Sequence, residues 1–493
     1  MLRTRLVLVF IFLLFYTTAN ANFDFNANCI KAYNHIMGLR LNAARTLITA
    51  EKNSNPKNSI PYLLDNYVDY FTLFTTETKV DFELFKKNKT VRLNRLEDED
   101  KKSPYYLFAQ AEIHLQSALT KARFDEYFSS AIETNKAYDL LEENAKKFPD
   151  FLPNQKSIGI INALFGSVPE SLKSTLAIVG IRGDTQKGVK MLENAIEKLP
   201  SSSYSHFYAE SVFYLTSIKI DILNDKKSYE SILKYTQNID NTSLLKTYIR
   251  AYAGMKFAHN DDAISTLVNR PFGAEYQSYP YLDYLLGIAK IHNLDVTGSV
   301  NLQQYIKNYK GINYIKDAYL NLAWTELLKG NNAGYTSFTG QVKTKGYTYH
   351  DKDKQAINEV NYAAPEIDLL KARLLFDGGY YDKALNQLES KKLDKFKLVR
   401  DKIEYCYRMG RIYDESGQGD AAIIFYQLAI NQGINERYYF ASNAALRIGL
   451  IYELKKDFAM AKYFYNNALK MKNHDYESSI ENKAKTGLKR CSR

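Results

Sequence analysis

Two glycines 39 residues apart, Gly410 and Gly449, head the same spacing of small and aromatic residues. Around Gly410 the chain reads Cys406, Met409, Gly410 and Tyr413, then Ala422, Tyr426 and Ala429. Around Gly449 it reads Ala445, Ile448, Gly449 and Tyr452, then Ala461, Tyr465 and Ala468. On two helices joined by a tight turn, this spacing sets a small residue of the first helix against one of the second. The aromatic fills the space beside them. Such a pair cannot bury its apolar face alone and must stack on the next copy. A series of stacked helix pairs is therefore the fold the spacing demands.

The spacing resembles the 34-residue tetratricopeptide pattern, W-x2-L-G-x2-Y followed by A-x3-F, stretched here by about five residues. Looser copies of the register lie upstream at Ala251/Ala263/Leu267 and Ala372/Ala384/Leu388, and the register is lost to inspection before residue 150. Asp377-Gly378-Gly379-Tyr380 reads as the turn within one pair, where glycine permits positive φ, and Gly417 and Gly419 read the same way in the next. The expected fold is all-α, a tetratricopeptide-type helix-pair solenoid wound as a right-handed superhelix. At roughly 38 residues per unit the chain holds about twelve helix pairs.

The organisation follows. Residues 22–102 form an N-terminal helical region of less regular pattern. Degenerate helix pairs fill 103–340, with Pro104 at a first helical position and long helices expected over 105–121 and 124–147. The polar stretch 341–364 is a linker with a short helix. Clear repeats occupy 365–475, and 476–493 is a tail.

The first 21 residues read as a cleaved signal peptide. Arg3 and Arg5 precede an apolar run over 6–16, and Ala19-Asn20-Ala21 offers a cleavage site. Eleven apolar residues are too few to span a bilayer, which needs about 20, although an uncleaved anchor is the rival reading. Cleavage after Ala21 implies a periplasmic or secreted protein. Three cysteines make no disulfide framework: Cys406 fits a core position, and Cys29 and Cys491 lie near the two mature ends, where pairing stays open. The net charge of +11 is spread among alternating acids and bases, as in 97–102. No basic block is interleaved with aromatics as nucleic-acid binding wants.

A second block carries a resemblance. Val168-Pro169-Glu170-Ser171, Gly180-Ile181-Arg182-Gly183-Asp184 and Gly188-Val189-Lys190-Met191-Leu192 are similar to a block of the inclusion-body clearance proteins, the tetratricopeptide repeat protein 39 family. Over 100–470 that resemblance is weaker than the one to secreted bacterial repeat proteins. The latter share stretches like Phe148-Pro149-Asp150-Phe151-Leu152-Pro153-Asn154 and Pro280-Tyr281-Leu282-Asp283-Tyr284-Leu285. Both resemblances imply a helical repeat fold without catalysis, and the secretion signal sets the chain apart from the intracellular clearance proteins. In physical terms Gly180 and Gly183 end a helix, Asp184 caps the next, and Gly188 lets two helices cross closely.

No catalytic constellation emerges. The seven histidines never fall at i, i+4, and no H-E-x-x-H, C-x-x-C, phosphate loop or G-x-S-x-G occurs. Neither metal nor cofactor is expected, and the chain reads as a non-enzyme. Tyrosine is abundant, with 40 residues against a single Trp. Tyr413, Tyr426, Tyr452 and Tyr465 are expected to fill the core. Counting each glycine as the eighth residue of its unit, helix A turns Glu366, Leu369, Arg373 and Phe376 inward. The next units turn in Glu404, Tyr407, Arg411 and Asp414, then Asn443, Leu446, Leu450 and Glu453. Arg, Tyr and Phe are enriched at binding hot spots, so Arg373, Phe376, Tyr407, Arg411 and Leu450 are the candidate groove residues for a protein or peptide partner. The alternative is a carbohydrate- or lipid-binding helical protein, against which Trp324 reads as core.

Overall fold

The computed structural model describes residues 22–168 and 183–492. Segment 1–21, read from sequence as a signal peptide, and positions 169–182 of the resemblance block lie outside the described residues. Those described form 24 α-helices and no strand, packed in consecutive pairs as a helical solenoid requires. Two compact units result. Unit 1 covers the chain to Asp225 with 231–246 and 271–278; unit 2 covers 226–230, 247–270 and Tyr279 onward.

Unit 1 begins with α1 (Ala27–Met37) and α2 (Leu41–Ser54), then α3 (Ile60–Thr76), α4 (Lys79–Glu97), α5 (Pro104–Arg123) and α6 (Tyr127–Lys147). Next come α7 (Pro153–Gly166), α8 (Thr185–Lys198) and α9 (Tyr208–Ser217). Most of α10 (Tyr229–Gln237) belongs to unit 1 and most of α11 (Leu244–Lys256) to unit 2. Unit 2 continues with α12 (Asn260–Val268), α13 (Tyr281–His292), α14 (Gly298–Asn308), α15 (Ile315–Leu328), α16 (Asn332–Thr344) and α17 (Asp351–Glu359). It ends with α18 (Ile367–Asp377), α19 (Tyr381–Leu388), α20 (Val399–Glu415), α21 (Gly419–Gly433), α22 (Phe440–Leu454), α23 (Phe458–Lys470) and α24 (Glu477–Cys491).

Local chemistry starts these helices where expected. Ser103 accepts from the Tyr105 N–H ahead of Pro104, and Asp184 accepts from the Lys187 N–H at 2.9 Å. Gly188 permits the α7–α8 crossing: a Cβ there would sit 2.5 Å from the Gly159 carbonyl oxygen.

One turn recurs through the array. In eight pairs the second residue after the first helix is left-handed: Leu39, Asp125, Ala258, Leu294, Gly330, Gly379, Gly417 and Lys456. The next N–H in each donates to the carbonyl five residues back, at 2.8–3.0 Å, for example His259 to Gly254 and Gln418 to Tyr413. This is the Schellman bond that satisfies a helix's terminal carbonyls. Seven residues before each left-handed position stands a small residue: Ala32, Ala118, Ala251, Gly287, Ala323, Ala372, Gly410 and Gly449. All of these are buried. Gly419, by contrast, opens α21 and is not a left-handed turn residue.

The register therefore does not end before residue 150. Ala32, Ala44 and Ile48 repeat the Ala251/Ala263/Leu267 spacing and are equally buried. The "irregular" N-terminal region holds a helix pair of the same kind, hidden because its turn residue is Leu39 and not glycine. The tail is likewise structured, since α24 buries Ile480, Ala484, Gly487 and Cys491 against the last pair.

At the clearest end, each glycine receives an aromatic ring. A Cβ on Gly410 would lie 2.5 Å from the Tyr426 ring, and one on Gly449 2.6 Å from the Tyr465 ring. Gly487 approaches the opposite edge of the Tyr465 ring equally closely, at 2.5 Å. Tyr426 and Tyr465 are fully buried, whereas Tyr413 and Tyr452 are partly buried at the rim of the same core. Cys406 is buried beside Gln432, and the three cysteines are free thiols.

Candidate functional site

The inner faces of the two units are treated differently by their own side chains. In unit 1 the first helices of successive pairs converge on one buried lysine. Lys156 on α7 places its Nζ 2.7 Å from Glu112 Oε2 on α5 and 2.7 Å from Glu210 Oε2 on α9. Tyr33 on α1 donates to Glu210 at 2.5 Å, and Tyr67 on α3 and Ser157 donate to Glu112. Phe108 and Phe207 face the ammonium at 5.7 and 5.5 Å. Burial opposes the Lys156 charge, but the two carboxylates outweigh it and hold its pKa above the ordinary value. Burial also drives Glu210 upward. Every member of this knot is sealed from solvent, so it offers nothing to a ligand. Sequence reasoning did not single it out: every residue of α7 from Lys156 to Ala163 is buried, so no one helical face marks Lys156.

Unit 2 leaves the corresponding face open. A cleft of about 260 Å³ lies among α17, α18, α20, α22 and α24. Its floor carries Arg373, Glu404, Arg408 and Asn443; its rim carries Tyr362, Tyr438, Tyr439 and Tyr476. The arginines are set by ion pairs. Arg373 reaches Glu359 at 3.1 Å and stacks over Trp324 at 4.7 Å; Arg408 reaches Glu404 at 2.8 Å. Arg400 is spent on Asp401 and on the carbonyls of Ala363 and Ala364. Burial works against the Glu404 carboxylate, but Arg408 and Arg373 hold its pKa below the ordinary value. His292 behind this region is pushed down to about 4 by burial, with Asp377 opposing.

The five groove residues read from sequence fall in two groups. Arg373 lines the cleft with its side chain 24% exposed. Arg411 lies one repeat on, over the Phe376 ring at 4.7 Å and bonded to the Tyr407 hydroxyl at 3.2 Å. Phe376 and Tyr407 are themselves core residues, 8% and 1% exposed, so they brace Arg411 from below and do not present a face to a partner. Leu450 is half-buried against the same core. Trp324 is buried beneath Arg373, as expected of a core residue.

Sequence reasoning missed the walls. Tyr476, Ser479 and Lys483 come from the segment read as a tail, and Gln355 and Asn358 from the segment read as a linker. The signal that could have found α24 is the i, i+4, i+7 spacing of Ile480, Ala484 and Gly487. Among the described residues no group of acidic, histidine or cysteine side chains is arranged to hold a metal, and no helix is long and apolar enough to cross a membrane. No protein-family model matches the chain, and no curated protein matches it at a significant level.

Proposed function

We propose that this chain is a non-catalytic protein-interaction scaffold, exported by its N-terminal signal, that holds a peptide or helix of a partner in the cleft of unit 2. The tetratricopeptide character, the right-handed winding and the count of about twelve pairs belong to this reading. The recurring small residue seven positions before a left-handed turn supports them. The observation that carries the function is the contrast between the two inner faces: one is filled by Lys156, Glu112 and Glu210, the other is an open cleft with arginine and asparagine on its floor and tyrosine at its rim. Tyr supplies rigid contact area at low entropy cost, and Arg held by an ion pair supplies directed hydrogen bonds, which is what peptide capture uses.

Ser479, exposed at the cleft wall, is the place to block it. Affinity capture from envelope extract with wild type and with Ser479→Trp should lose a defined set of partners in the variant. Identical partner sets would refute the cleft as the site. The export reading is checked by fractionating cells that express the full chain and sequencing the mature N-terminus, which should begin at Asn22.

A further inference from the structure

We infer that the buried knot of unit 1 is the precursor of a covalent bond: the Lys156 amine and the Glu210 carboxyl condense once per molecule into a side-chain amide, with Glu112 as proton carrier. The inference is independent of the cleft in unit 2.

The reacting groups are already in contact and cannot drift apart. Lys156 Nζ lies 2.7 Å from an oxygen of each carboxylate, and the three side chains are 0%, 1% and 1% exposed for Lys156, Glu112 and Glu210. A carboxyl carbon is one bond from the oxygen in contact, so the amine stands close to the ~3–3.5 Å separation from which attack proceeds. Five helices hold the arrangement. Tyr33 on α1 and Tyr67 on α3 bond to Glu210 at 2.5 and 3.2 Å, and Ser157 and Tyr67 fix the two oxygens of Glu112. The Phe108 and Phe207 rings, 5.7 and 5.5 Å from Nζ, line the site with apolar surface.

A lone lysine–glutamate pair would remain an ion pair, because an ammonium is no nucleophile and a carboxylate is a poor electrophile. The second acid changes this. In the reactive state the knot holds the Lys156 ammonium, a carboxylate on Glu112 and a carboxylic acid on Glu210. Burial is the largest influence on Glu210 and favours its protonated form. Glu112 takes one proton from the ammonium, and the freed amine attacks Glu210 Cδ. Tyr33 and Tyr67 donate to Oε2, where negative charge develops. The C–N bond forms, the bond from Cδ to Oε1 breaks, and a second nitrogen proton leaves with that hydroxyl as water. The third stays on the amide, and Glu112 keeps the first. No oxidant or cofactor enters the balance.

The step also removes charge from the interior. An ammonium and a carboxylate become an amide and a carboxylic acid, which relieves the desolvation of both ions. Burial opposes the Lys156 charge, but the two carboxylates hold it as ammonium, so the free amine is scarce and the reaction slow. One turnover per chain suffices. The product ties α7 to α9 across 54 positions.

Intact-mass spectrometry of the purified full mature chain, with its N-terminus sequenced, tests this directly. The expected mass lies about 18 Da below that of the sequence, the loss of one water. Trypsin should then release a branched peptide joining residues 148–173, uncut at Lys156, to residues 199–219. Lys156→Met should retain the full mass. Glu112→Gln keeps both reacting groups but no proton carrier, and should slow the loss ~100-fold or more at matched times after synthesis. A wild-type chain that still has its full sequence mass days after purification overturns the bond, whether or not either variant folds. A branch to residues 103–121, which contain Glu112, overturns the roles given to the two acids.

Discussion

A single methyl group should have opposite effects at two helical glycines of this chain. Gly340 lies within α16 with open space around its missing Cβ, so Gly340→Ala gains only helix propensity, about 1 kcal/mol. Gly449 gains the same propensity but meets the Tyr465 ring at 2.6 Å. That ring cannot retreat. Its far edge already lies against Gly487, and its hydroxyl donates to Glu453, which Arg490 holds by two bonds at 2.5 and 2.8 Å. Overpacking a fixed ring costs ~2–3 kcal/mol, the upper part of the usual range, so Gly449→Ala should lose ~1–2 kcal/mol net. The two alanine variants thus differ by about 2–3 kcal/mol, or several degrees in melting temperature at ~2–4 °C per kcal/mol for a unit of this size. Urea titration followed by circular dichroism measures both. Truncating the ring in Gly449→Ala/Tyr465→Leu should reveal a coupling of at least ~1 kcal/mol. If Gly449→Ala stabilises as much as Gly340→Ala, the ring-on-glycine crossing does not hold the pair together and the reasoning fails.

Other groups buried in the two units give further expected outcomes. Lys156→Met should cost about 3–5 kcal/mol, because it leaves two buried carboxylates without their cation; a loss below ~1 kcal/mol in a denaturant titration would refute that dependence. His206 stacks on Phe25 with ring centroids 4.3 Å apart, and burial pushes its pKa down to about 4 from 6.5. The unfolded chain therefore takes the proton first. The stability contributed by neutral His206 is present above pH 6.5 and lost as pH falls towards 4, by up to ~3 kcal/mol. His206→Phe should flatten that part of the stability–pH curve, and an unchanged slope between pH 6.5 and 4 would refute it. The lone Trp324 lies under the Arg373 guanidinium, so Arg373→Ala should shift its fluorescence emission, and an unaltered spectrum would show that the stack does not persist in solution.

How much of this was legible depended on which residues carried the constraint. Gly410 and Gly449 announced their helix pairs because only glycine tolerates a tyrosine ring at that distance. Ala32 and Ala44 do the same work at the other end, but alanine is ordinary in helices, and a left-handed Leu39 carries no turn signal at all. Of the positions counted inward from the glycines, Phe376 and Tyr407 lie in the core, where their rings carry the Arg411 guanidinium. The cleft's outer walls were illegible for a different reason. Tyr476, Ser479 and Lys483 stand outside the repeat period, and only tertiary packing of α24 brings them to Arg373 and Arg408.

The Lys156 knot also bears on how unit 1 comes apart. Stacked pairs are expected to fray one neighbour at a time, since each touches only the next. Tyr33 and Glu210 are 177 positions apart and share one hydrogen bond, and α1, α3, α5, α7 and α9 all contribute side chains to the same cluster. No pair in that set can open without exposing the charge that the others neutralise. Unit 1 should therefore exchange its amide protons as one block, with the slow, late-closing kinetics of a chain dominated by distant pairings, while unit 2 keeps the graded opening of a linear array.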